Sequence, residues 1–258
     1  MLRLDAEGER LVNEGTYQDI INKINAMAGS MRVVHGDLVQ MFVIALINNG
    51  NDWMALKLFN HFKHRYSDAG YQKRQILLLA ACLGRLDTLR RLFRCGFKYT
   101  SPTISDLPGS LLKAAIIGMT GKYINYFPYQ GIAFTTRHDE ERLQVVKLLI
   151  EKGFLEYEAR PERLLFTSHT RYDARIAITL LDAGLDPYKP VGGKHRPATQ
   201  SFDKHLRAFK HLPASVVVLN HIARTTTLFS VMRKRVDLQS SSVPSREQRQ
   251  RCHYPRYH

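Results

Sequence analysis

The chain has 258 residues, 44% hydrophobic and 24% charged, the composition of a globular protein large enough to bury a substantial core. Its formal net charge is +15, from 38 Lys and Arg against 23 Asp and Glu. No apolar run reaches the ~18 residues of a membrane helix, and the N-terminus MLRLDAEGERLVNEG has no apolar signal core, so neither a transmembrane helix nor cleaved secretion is expected.

Residues 1–37 predict an N-terminal helical cap, because Leu11, Ile20, Ile21 and Ile24 recur at helical spacing among polar residues. From residue 38 the chain repeats itself. MFVIALINNG (41–50), QILLLAACLG (75–84) and GSLLKAAIIG (109–118) each end an apolar run in glycine, with 34 residues from Gly50 to Gly84 and 34 more to Gly118. The segments that follow align as well, NDWMALKLFNHF (51–62) with RLDTLRRLFRCG (85–96). ERLQVVKLLIEKG (141–153) and RIAITLLDAGLDP (175–187) fit the same half-repeat, with Gly153 and Gly184 31 residues apart. Glycine just beyond a helix turns left-handed without a Cβ penalty. Gly84 and Gly96 are therefore read as stops of two successive short helices, and each unit as an antiparallel helix pair that buries its faces only when stacked on its neighbours. Positive φ is expected at Gly84, Gly96, Gly153 and Gly184. Ala80, Ala81, Ala114 and Ala115 are expected at close contacts between units, and Leu89, Leu92, Val146, Leu149, Ile178 and Leu181 in the core between them.

One unit is interrupted. MTGKYINYFPYQGIAFTTRH (119–138) separates Gly118 from its second helix and holds Tyr123, Tyr126, Phe127, Tyr129 and Phe134, with Arg137 near its end. An insert of this length inside a compact fold is functional or disordered, and its aromatic content argues against disorder. It predicts either a finger that contacts a partner or a loop folded back over apolar surface. VGGKHRP (191–197) reads as a turn. TQSFDKHLRAFKHL (199–212) and ASVVVLNHIARTTTLFSVMRKRV (214–236) read as two helices separated by Pro213, so 191–237 is a basic C-terminal helical region or cap. Residues 238–258 lack aliphatic residues after Val243 and predict a basic disordered tail. Residues 189–258 contain 14 Lys and Arg against Asp203, Asp237 and Glu247, and so hold +11 of the +15. Lys194, Arg196, Lys204, Arg207, Lys210, Arg233, Lys234 and Arg235 form the expected basic patch, suited to nucleic acid, anionic membrane or an acidic protein surface.

The sequence resembles the ankyrin repeat family over about residues 38–190. The resemblance rests on Ala80-Ala81 followed by Gly84, on Ala114-Ala115 followed by Gly118, on VVKLLIEKG (145–153) and on ITLLDAGLDP (178–187). The family's Thr-Pro-Leu-His opening is absent: Gln75-Ile76-Leu77-Leu78 and Gly109-Ser110-Leu111-Leu112 stand in its place. A generic helix-pair solenoid satisfies the same spacing. The resemblance implies an all-α, ankyrin-like helix-pair solenoid with N- and C-terminal capping helices. It also implies a non-catalytic protein–protein interaction module that binds through its repeat loops. The degenerate repeats and arginine-rich tail are similar to ankyrin proteins of intracellular bacteria, some of them delivered into host cells.

No residue pattern asks for chemistry. HExxH, CxxC, GxGxxG, GxxxxGK[ST] and GxSxG are all absent. Cys82, Cys95 and Cys252 are odd in number without close ligand spacing, and read as small core residues of a reducing compartment. Asp139-Glu140-Glu141 reads as a helix N-terminal charge cluster, and Glu156 with Glu158 as an exposed loop. No catalytic residue, metal or cofactor is expected. The partner is another protein, with nucleic acid or anionic membrane as the alternative through the basic C-terminus; the protein is expected to be an intracellular, soluble monomer.

Overall fold

The structure, a computed structural model, describes residues 4–30, 35–66, 68–99, 110–118, 139–158, 160–169, 174–191 and 200–241, with side chains at all of these except 29, 30, 35, 139, 169 and 228–241. Among the described residues the chain is all-helical and contains no strand. The helices are α1 (Ala6–Glu14), α2 (Tyr17–Ser30), α3 (His35–Asn48), α4 (Asp52–His61), α5 (Ala69–Leu83), α6 (Leu86–Arg94), α7 (Leu111–Ile117), α8 (Asp139–Glu151), α9 (Arg163–His169), α10 (Ala174–Asp182), α11 (Phe202–Ala208) and α12 (Pro213–Ser241). The chain divides into two compact units, Met1–Asp186 and Pro187–His258.

Side-chain caps start several of these helices, each satisfying a backbone N–H that the first turn leaves unpaired. Asp5 accepts from Gly8 N at 2.7 Å, Asp68 from Tyr71 N at 2.8 Å and Ser110 from Lys113 N at 3.0 Å. Glycines end them. Gly84 has φ 73° and ψ 28°; its N–H reaches Ala81 O at 3.1 Å, and the N–H of Arg85 reaches Ala80 O at 2.9 Å. This is the Schellman pair of hydrogen bonds. The same two bonds close α3 at Gly50, α6 at Gly96, α8 at Gly153 and α10 at Gly184, all with positive φ.

In the first unit α3 packs on α4, α5 on α6, α7 on α8 and α9 on α10. The first members also touch in series, α3 with α5, α5 with α7 and α7 with α9, while α6 touches α8 and α8 touches α10. The N-terminal helices α1 and α2 pack on each other and on α3. Polar ties cross from pair to pair near the repeat spacing. Gln40 Nε2 donates to Gln75 Oε1 at 3.3 Å, Thr88 Oγ1 to Asp52 Oδ2 at 2.7 Å, and Arg175 Nη1 to Glu140 Oε2 at 2.7 Å.

The first members form the core. Every residue from Ile76 to Leu83 is fully buried, as are Leu111, Leu112, Ala114, Ala115 and Ile116. A helix apolar on all sides has to be covered on all sides. The four alanines expected at close contacts have no accessible surface. Ala115→Leu is therefore expected to overpack α7 and to lower the unfolding free energy by about 1–3 kcal/mol, measured by urea denaturation.

Three expectations need correction. Leu89, Leu92, Val146 and Leu149 are fully buried, but Ile178 and Leu181 are only partly covered, and α10 turns Ile176, Ala177 and Leu180 inward instead. The packing surface of α8 and α9 sets that rotation, and α10's own periodicity does not reveal it. Cys95 is exposed at the C-cap of α6, unlike Cys82. In the second unit α11 packs on α12. Pro213 is the first residue of α12, a position where its missing N–H costs nothing, and the helix runs to Ser241, past the tail boundary expected at 237. No glycine or proline stops it until Pro244. Residues 242–258 lie outside the described residues.

Candidate functional site

The aromatic insert, with Tyr123, Tyr126, Phe127, Tyr129, Phe134 and Arg137, lies outside the described residues, as do Lys194 and Arg196. Arg233, Lys234 and Arg235 fall on α12, but their side chains are not described. Lys204, Arg207 and Lys210 are exposed on and just beyond α11. Arg207 Nε donates to Asp203 Oδ2 at 2.9 Å, a hydrogen bond that raises the guanidinium pKa and offsets one of these charges. Over the stretches 38–47 and 76–83, α3 and α5 are buried and offer no free face. In these pairs the accessible surface lies on the second helices and the loops at their ends.

One such place is formed where α6 and α8 end side by side. Both end in the same short sequence, Gly96-Phe97 and Gly153-Phe154, and both glycines close Schellman turns. The turn throws the following Phe back across the helix end. Because α6 packs on α8, the two turns become neighbours. Between them lies an open groove of about 540 Å³, lined by Phe93, Phe97, Lys98, Tyr99, Glu151, Lys152, Phe154 and Tyr157. Phe154 is its centre, with ring centroids 5.9 Å from Phe93, 6.5 Å from Tyr99 and 6.3 Å from Tyr157. Lys152 Nζ sits 5.5 Å from the centroid of Phe93. Phe97 is 4% exposed and roots the groove in the core, 5.6 Å from Phe59 of α4. Tyr157, by contrast, is 66% exposed.

The sequence held a signal for this groove, the repeated Gly-Phe followed by Tyr99 in one copy and Tyr157 in the other. The five aromatic residues within 119–138 are the larger signal in the sequence and mask this smaller one. A second exposed aromatic feature, without a pattern that marks it in the sequence, lies on α4. Trp53, the single tryptophan, is 57% exposed on α4, and Lys57 Nζ stands 4.9 Å from its ring and 4.1 Å from that of Tyr17.

Glu158, expected in an exposed loop, is half-buried beyond α8. Burial raises its carboxyl pKa from the usual 4.5 to about 7, opposed by the charge of Lys113 on α7. The raised value means that the unfolded chain releases this proton first as pH rises. Stability associated with Glu158 is therefore complete below pH 4.5 and is lost between 4.5 and about 7. Glu158→Gln is expected to stabilise the protein at pH 8 by about 1–2 kcal/mol, after allowance for partial solvent access, and to change little at pH 4. Denaturant titrations of both chains at the two pH values measure this.

Among the described residues no three His, Cys, Asp or Glu side chains gather as a metal site, and no helix is long and apolar enough to cross a membrane. Comparison of the chain with protein-family models, with curated proteins and with solved structures gave no match.

Proposed function

We propose that the chain is an ankyrin-like helix-pair solenoid that works as a non-catalytic module binding another protein. The serial packing of pairs and the shared glycine stops support the solenoid reading. The observation that carries the function is the groove at the ends of α6 and α8, where aromatic rings and lysines stay accessible on a protein whose inner helices are covered. Accessible aromatics clustered in a concavity suit the desolvated centre of a protein interface. In this reading the insert at 119–138 adds a second contact and the basic region at 189–258 draws an acidic partner by long-range attraction.

The test is affinity capture with the intact chain and with a chain lacking residues 119–138, after nuclease treatment, followed by binding of the purified partner at two salt concentrations. A binary complex weakened by the deletion is the expected result. The intact chain should lose association rate when Arg233, Lys234 and Arg235 are neutralised. It should gain dissociation rate when Tyr126 and Phe127 are replaced by Ala. Material that is nucleic acid or lipid, held with a steep salt dependence, replaces this reading with an electrostatic one.

A further inference from the structure

We infer that the groove between the ends of α6 and α8 docks an acidic peptide segment carrying one aromatic or large aliphatic anchor residue. The inference rests on the protein-binding reading and adds the chemistry of the partner. Size and lining argue for an anchor: about 540 Å³ walled by Phe93, Tyr99, Phe154 and Tyr157 accommodates one or two large side chains, and Phe97 below it is immobilised in the core. An anchor entering there covers aromatic surface that water now reaches, most of all on Tyr157, which is 66% exposed.

Charge argues for acidic flanks. Lys98 and Lys152 line the groove and are exposed. Arg90 and Arg94, also exposed, lie one helical turn and one residue from Phe93 on α6, so the groove opens onto a basic helix face. Asp87 on that face is tied to Arg90 at 3.6 Å. A single strand of nucleic acid fits the same charge but not the same walls. Its bases need free ring faces, whereas these rings stand tilted or edge-on to one another and Lys152 already covers Phe93. Glu151 lines the groove as well. Its carboxylate can accept a hydrogen bond from a peptide N–H, and it favours a register that sets the acidic flanks toward Lys98 and Lys152.

Display of random dodecapeptides against the intact chain tests this, with the selected peptides then synthesised and measured by fluorescence polarisation. The expected winners carry Trp, Phe or Leu flanked by Asp and Glu. Their Kd should rise at least tenfold on Tyr157→Ala, on Lys152→Glu, and when their acids are changed to amides. Both substituted side chains are exposed, so the circular dichroism and Tm of the variants should match the parent. Winners that lack acids or an anchor, or that ignore both variants, overturn the groove inference and leave the protein-binding reading standing. No enrichment at all likewise overturns the groove inference, while affinity capture alone decides the protein-binding reading. An oligouridylate tracer bound by the parent and lost by both variants overturns the peptide assignment in favour of nucleic acid.

Discussion

Arg142→Met is expected to lower the unfolding free energy by about 3 kcal/mol or more, because it removes the donor of a buried polar contact. Arg142 is 1% exposed. Its Nη1 donates to Ala115 O at 2.8 Å, and Nη1 and Nη2 each lie 3.5 Å from Cys82 O. One side chain from the first turn of α8 thus caps the C-terminal ends of α5 and α7, where helix carbonyls are left over and a cation is favoured. Met fills much of the volume but leaves buried carbonyls without donors. Lys supplies charge without the planar fork that reaches two acceptors at once, so Arg142→Lys should recover only part of the loss. Urea unfolding of the three chains measures the series. A loss below about 1 kcal/mol for Met would show that other donors replace the guanidinium. Arg85 does a related job one pair earlier, its Nη2 donating to Asn48 O at the end of α3.

Gly118→Ala should be nearly as damaging, and for a connected reason. Gly118 has φ 70° like the other stops, but its ψ of −164° sends the chain out extended, a combination essentially confined to glycine. Its N–H turns to Ala114 O at 2.8 Å, which leaves Ala115 O for Arg142. At the other stops a backbone N–H fills the equivalent position. A Cβ added at Gly118 would come within 2.8 Å of Cζ and Nη2 of Arg142. That guanidinium is held between carbonyls and cannot swing away without losing them. Gly118→Ala is expected to cost about 2–4 kcal/mol, combining backbone strain with the displaced hydrogen bonds. Gly96 is the control, since a Cβ there meets nothing within 4 Å and only its φ of 77° opposes substitution, at about 1–2 kcal/mol. Equal Tm losses for the two alanine variants would remove Arg142 from the explanation.

These two residues also show why the interrupted unit holds together. The insert leaves at Gly118, and Arg142 lies in the first turn of α8, the next described helix. The guanidinium bonds the helix before the insert to the helix after it. From sequence alone Arg142 is one charge in DEERLQVVKLL, with nothing to single it out. Its burial follows from the ends of α5 and α7, 60 and 27 residues earlier, meeting over it. The same limit hid the setting of Glu158, whose carboxyl feels the charge of Lys113 on α7, 45 residues earlier, and the rotation of α10.

Helix stops and close contacts were written locally. Left-handed φ needs glycine, and tight helix contacts need alanine, whatever lies farther along the chain. So the spacing of Gly50, Gly84 and Gly96, and the placement of Ala80, Ala81, Ala114 and Ala115, were legible in the sequence and define its all-helical, paired organisation. What the tertiary structure alone decided is which polar and aromatic side chains meet. Phe93 and Phe154 are 61 residues apart in the chain and 5.9 Å apart in space because α6 packs on α8. Periodicity within a helix narrows which face is covered without fixing it, as α10 shows, and it carries no information about the partner that covers it.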